Sequence, residues 1–105
     1  MPDKISIYIK RPDVAIEALE VPNTLEALQE LVGGYIETVT MSKKLTAIFN
    51  KEGVLLNLPF NMYLGGHWLR GPVLFVGVDG DEFTDAPFRS VRQVESAIRE
   101  FNNRR

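Results

Sequence analysis

His67, the single histidine of this 105-residue chain, stands beside its single tryptophan, Trp68, in the glycine-flanked run LGGHWLRG (64–71). Imidazole is the side chain best suited to moving protons near neutral pH. Paired with Asp79 or Glu82, it would make a minimal acid–base dyad for a small hydrolase. No serine in a nucleophile motif accompanies it, and the spacing to either acid follows no catalytic logic. The chain has no cysteine, which removes thiolate catalysis, disulfides and Cys-ligated zinc, and one histidine cannot form a His cluster. The acids Asp79, Asp81, Glu82 and Asp85 suggest calcium, but an EF-hand loop needs an oxygen ligand where Phe83 stands and glycine where Thr84 stands. The glycines lack the GxGxxG and GxxxxGK[ST] orders that cradle phosphates. The expectation is therefore no enzyme, no catalytic residue, no metal and no cofactor.

What remains is a set of adaptable polar and aromatic contacts: Tyr35, Asn61, Tyr63, His67, Trp68 and Arg70, with the glycine pair Gly33 and Gly34. Tyrosine and tryptophan combine a large apolar body with a polar tip, which suits a binding surface. The site is expected where the segment NLPFNMYLGGHW (57–68) meets the helix that carries the two glycines.

The elements that must position these residues can be read along the chain. Ile5, Ile7 and Ile9 alternate with polar neighbours as a half-buried strand does, and Val14–Val21 forms a second extended segment after the turn Arg11-Pro12-Asp13. Asn23, followed three residues later by Glu26, marks a helix start. The apolar positions Leu25, Leu28, Leu31, Val32, Tyr35 and Ile36 fall on one helical face and run past Gly33-Gly34. If Gly33 were a left-handed cap, Tyr35–Met41 would instead be a strand. The persisting three–four spacing favours a continued helix, in which Gly33 shares a face with Glu26, Glu30 and Glu37 and opens a notch for a close neighbour, foremost a segment of the same domain.

After Ser42-Lys43-Lys44, the runs LTAIFN (45–50) and VLLNL (54–58) read as a hairpin closed by Asn50-Lys51-Glu52-Gly53. The stretch LPFNMYLGGHWLRGP (58–72) reads as a long loop, VLFVGV (73–78) as a central strand buried on both sides, and DGDEFTDAP (79–87) as an acidic exit. Ser90 with Gln93 opens a last helix whose inner face is Val91, Val94, Ile98 and Phe101. Leu28, Leu31, Val32, Val76 and Ile98 are expected in the core.

Residues 1–105 thus predict one α+β domain, a mainly antiparallel sheet of about four to six strands with two helices packed on one face. No apolar run approaches the ~20 residues of a membrane span, and the first residues do not pattern as a signal peptide, so a cytoplasmic protein is expected. A net charge of −2 gives no general pull toward nucleic acid.

The segments LQELVGGYIE (28–37), NLPFN (57–61) and FVGVDGDEFT (75–84) resemble, in order and spacing, the family known as domain of unknown function 3846, found among phages, plasmids and other bacterial mobile elements. Leu28, Gly33, Gly34, Tyr35, Leu58, Pro59, Asn61, Gly77 and Asp79 occupy its recurrent positions, whereas Met62 stands where the pattern has a basic residue. The resemblance implies genomic company and no activity. Three readings follow: a non-enzymatic binding protein of a mobile element, with a protein or small-molecule partner or a second copy of itself; a protein that sequesters a nucleotide-like signal of host defence, using aromatic stacking and Arg70; and, weakest, a hydrolase built on His67.

Overall fold

The structure, a computed structural model, describes residues 3–104. Ten elements follow one another: β1 (Lys4–Lys10), β2 (Glu17–Pro22), α1 (Leu25–Val32), β3 (Ile36–Ser42), β4 (Leu45–Asn50), β5 (Phe60–Leu64), β6 (His67–Arg70), β7 (Val73–Asp79), β8 (Glu82–Thr84) and α2 (Val91–Asn102). Six strands form one antiparallel sheet in the order β2-β1-β7-β4-β3, with β8 paired to the far end of β7, and β5–β6 is a separate two-stranded hairpin. The α+β class and the mainly antiparallel sheet with two helices match the sequence expectation.

The placement of the helices does not match it. In β7, Val73 and Phe75 face one core while Leu74 and Val76 face another, and the same alternation runs through β1 (Tyr8 against Ile5, Ile7 and Ile9) and β4 (Leu45, Ala47 and Phe49 against Ile48). A sheet centre that is apolar on both faces must be covered on both. Accordingly α1 packs Leu28 and Val32 on one face, while α2, through Val94, Ile98 and Phe101, lies on the other together with Met62, Leu64 and Leu69 of the β5–β6 hairpin. The two helices sit on opposite faces of the sheet. Of the expected core residues, Leu28, Val32 and Val76 are buried, and Leu31 and Ile98 pack against the cores while half-buried.

Helix α1 is shorter than its apolar spacing suggests. Its N-cap is Thr24, whose hydroxyl accepts from the Ala27 N–H at 3.1 Å, while the Asn23 amide donates to the Phe83 carbonyl at 3.2 Å and ties the β2 end to β8. The helix stops at Val32 because Gly33 turns left-handed, with φ of 84°, and the N–H groups of Gly33 and Gly34 both point to the Gln29 carbonyl, at 2.8 and 3.0 Å. Residues 36–42 then pair with β4 from Ile36↔Asn50 to Ser42↔Leu45. The continued helix and its notch are thereby corrected, and Glu37 lies on β3 rather than on a face shared with Glu26 and Glu30. Tertiary pairing decides the matter: β4 is buried along its whole length and needs β3 on one edge as it needs β7 on the other.

The same constraint overturns the expected 45–58 hairpin. Both edges of β4 are taken, so residues 51–57 have no strand to pair with and close into tight turns, with Leu56 N–H to the Glu52 carbonyl at 2.8 Å and Leu58 N–H to the Gly53 carbonyl at 2.9 Å. The expected long loop at 58–72 contains instead the β5–β6 hairpin, closed by Gly65 and Gly66 at φ of 55° and 94°. Two consecutive positive φ values are what a two-residue hairpin turn of type I′ requires. Helix α2 follows the sequence closely: the Ser90 hydroxyl caps Gln93 N–H, and the Gln93 side chain accepts from Arg89 N–H at 2.6 Å.

Because Gly33 holds a left-handed conformation, Gly33→Ala should lower stability by roughly 1 kcal/mol or more in urea unfolding. A gain in stability, as for alanine in a helix interior, would contradict this cap.

Candidate functional site

A two-stranded hairpin laid on a sheet has an inner and an outer face, and here the inner one is spent on the core: Met62, Leu64 and Leu69 are buried. On the outer face Tyr63 and Trp68 are cross-strand partners, their rings 5.0 Å apart at 67°, and Phe60, which is paired with Arg70, lies 5.7 Å from Trp68. An irregularity between Phe60 and Met62 turns Phe60 outward with the other two. Trp68 is 69% exposed, Phe60 48% and Tyr63 40%. Three touching aromatic rings thus form a continuous strip open to solvent.

The strip is extended by the turns that precede it. Gly53 packs so closely on Arg70 that an added side-chain carbon would lie 3.1 Å from the Arg70 carbonyl oxygen, and an Arg70 Nη1–H donates to the Leu58 carbonyl at 2.9 Å. This holds residues 53–58 against the Phe60–Arg70 end of the hairpin. There the chain presents Val54, Leu55 and Leu56 in succession, at 74%, 82% and 52% exposure. The sequence reading missed these three and Phe60. The apolar run at 54–56 looked like a buried strand, and the signal for the hairpin was the Gly-Gly pair between alternating apolar residues.

The polar residues expected at the site are employed elsewhere. Asn61 donates to the carbonyls of Lys10 and Gly71, at 2.7 and 2.8 Å, and accepts from Lys10 Nζ at 3.1 Å, so it fastens the hairpin to β1. Asn102 does the same at the other end, accepting from Gly65 N–H at 2.7 Å and donating to the Tyr63 carbonyl at 3.0 Å. Gly65 fits there because a side chain would run into the Phe101 ring. His67 is exposed at the hairpin tip opposite Leu64, whereas Asp79 and Glu82 pair across the β7–β8 hairpin, and Asp85 accepts from the Ser6 N–H at 2.8 Å.

Gly33, Gly34 and Tyr35 belong to the α1 side of the sheet. The neighbour that the bare backbone of the glycines admits is buried Asn50, whose amide nitrogen lies 3.1 Å from where a Gly34 side chain would start. Asn50 donates to the Val32 carbonyl at 3.0 Å and accepts from Glu52 N–H at 2.7 Å, linking the end of α1 to the base of the exposed turns. Tyr35, 66% exposed, meets that base through its carbonyl, which accepts from Lys51 N–H at 2.8 Å. The structure therefore brings Tyr63, Trp68 and Arg70 together on one face, adds Phe60 and the 54–56 turns to them, and leaves the glycine pair on the other side of the sheet. Clefts beside the hairpin are small and open. One of about 330 Å³ lies between its tip and the end of α2, and one of about 350 Å³ is lined by Lys10, Ile16, Met62, Glu95 and Arg99.

The model of the family described as "Domain of unknown function (DUF3846)" matches residues 5–99. The chain belongs to this family. The match runs from β1 into α2, so every buried residue of both cores and the whole hairpin lie within the family domain. No curated protein and no solved structure matches the chain. Among the described residues no helix is long and apolar enough to cross a membrane.

Asn61 makes three hydrogen bonds between three separated segments, and its removal would take a donor from two carbonyls and leave the Lys10 ammonium only its 3.3 Å bond to the Arg11 carbonyl. Asn61→Ala should cost about 1–3 kcal/mol in urea unfolding. Unchanged stability would return Asn61 to the list of free binding groups.

Proposed function

We propose that this protein is a non-enzymatic interaction module, working in the cytoplasm of a cell that carries a phage or other mobile element, and that it binds a protein through the outer face of its β5–β6 hairpin. The observation that carries this reading is the concentration of exposed apolar side chains there. Among the described residues, Val54, Leu55, Leu56, Phe60, Tyr63 and Trp68 account for six of the nine large hydrophobic residues that the fold leaves exposed. Monomeric proteins scatter such residues singly, and a contiguous patch is the usual mark of a contact surface. Tyrosine, tryptophan and arginine are also the residues that most often dominate interface energetics.

Sequestration of a nucleotide-like signal draws on one observation, the guanidinium of Arg70 on the same face as Trp68 and Phe60, which offers a ring to stack on and a cation for phosphate. It draws less support than a protein partner. Arg70 is held to the Leu58 carbonyl, Asn61 is committed to the hairpin, and aliphatic residues at 54–56 add nothing to base stacking. For a hydrolase, His67 would have to work with acids placed on a different hairpin.

The reading is tested by affinity capture from host cells with the wild-type chain and with Trp68→Ala and Leu55→Ser. These exposed substitutions should leave the melting temperature within about 2 °C, because surface changes alter stability by less than ~0.5 kcal/mol, yet reduce capture tenfold or more. Undiminished capture by both variants would refute the face. A rise in melting temperature with nucleotides that Arg70→Ala abolishes would favour the signal-binding alternative.

A further inference from the structure

We infer that the occupant of the hairpin's outer face is a second copy of this chain, seated by a two-fold axis so that the 54–56 turns of each copy lie over the Phe60–Tyr63–Trp68 strip of the other. The inference rests on the binding reading above and names its partner.

Three observations carry it. The first is size. Aromatic side chains bury about 150–250 Å² each, and the six exposed residues at their observed exposures present on the order of 700 Å². That is close to the ~800 Å² that each partner gives to a standard stable interface, and more than monomers usually leave open. The second is shape and chemistry within one patch. An isologous contact needs a surface that complements itself, with residue i meeting j and j meeting i. Here an exposed aliphatic turn adjoins an exposed aromatic strip, so a half-turn about an axis between them sets turn on strip twice. The third is composition. The patch itself carries aromatic and aliphatic residues and little charge, the composition of homodimer interfaces rather than of transient ones.

Sedimentation equilibrium of the full chain, with fluorescence of its single tryptophan, tests the inference. The expected result is a mass that rises toward twice the chain mass with concentration, and Trp68 emission that moves to shorter wavelength along the same isotherm as the ring leaves water. Leu55→Glu and Trp68→Glu, each at an exposed site, should melt as the wild-type chain does at dilutions where all are monomeric, and should weaken self-association tenfold or more. A wild-type chain that stays monomeric at ~100 µM, well above the Kd of an ordinary stable dimer, overturns the inference. So does a dimer that survives both glutamate substitutions. A monomer that still captures another protein through Leu55 and Trp68 overturns the second copy as occupant and leaves the interaction module standing.

Discussion

The fold depends on the burial of β7. Its residues Val73–Gly77 are buried without interruption, contributing alternately to two cores, and it pairs with β1, β4 and β8. A strand has side chains on both faces with a period of two, so an apolar strand in the middle of a sheet creates two surfaces that must leave water, each worth about 25 cal/mol per Å² covered. One helix cannot cover both. The chain answers with α1 on one side and, on the other, α2 and the β5–β6 hairpin side by side. The hairpin is therefore a structural cover first, and Met62, Leu64 and Leu69 are fixed by that task. Its outer face has no such task. A cover with polar residues outside would fold as well, so Phe60, Tyr63 and Trp68 call for a role other than folding.

Three asparagines hold this arrangement. Asn50, Asn61 and Asn102 each use the amide as both donor and acceptor, and each ties together elements far apart in sequence: α1 to the 51–57 turns, β1 to β5, and α2 to the hairpin tip. A primary amide is suited to this because it offers two N–H donors and a carbonyl acceptor on one short side chain without the desolvation cost of a charge. In the linear sequence such an asparagine cannot be told from a ligand-binding one. Only the partners make the difference, and here the partners are backbone carbonyls, backbone N–H groups and Lys10 of the same chain.

Much of the fold was legible in the sequence where local pattern and tertiary role agree. The alternation of Ile5, Ile7 and Ile9, the unbroken apolar run of 73–78 and the Ser90–Gln93 capping pair each report their element faithfully, because burial on one face, burial on two faces and capping leave separate local signatures. Three elements were not legible. Tyr35 and Ile36 continue the helical spacing of α1 by coincidence: Ile36 is a half-buried position of β3, and Tyr35 is an exposed residue of the connection before it. Val54–Leu56 is an apolar run that is not buried at all, and nothing within it announces that both edges of β4 are occupied. The hairpin at 60–70 carried a signal, Gly65-Gly66 between alternating residues, that the bulge beside Asn61 obscures by shifting the alternation by one. Of the candidate site residues, the aromatic pair Tyr63 and Trp68 with Arg70 shares one face, and its apolar neighbours Phe60 and Leu55 emerge only from the folded surface.

The central claim is that the outer face of the hairpin is a protein contact rather than solvated surface. Residue-resolved amide NMR of the isotopically labelled chain, followed as its concentration is raised through the association range, addresses it most directly. The account predicts that shifts gather at Val54–Leu56, Phe60, Tyr63 and the Trp68 indole N–H, while the amides of α1 and β2 hold their positions. Shifts confined to the β2 or β3 edge, with the Trp68 indole unmoved, would contradict it.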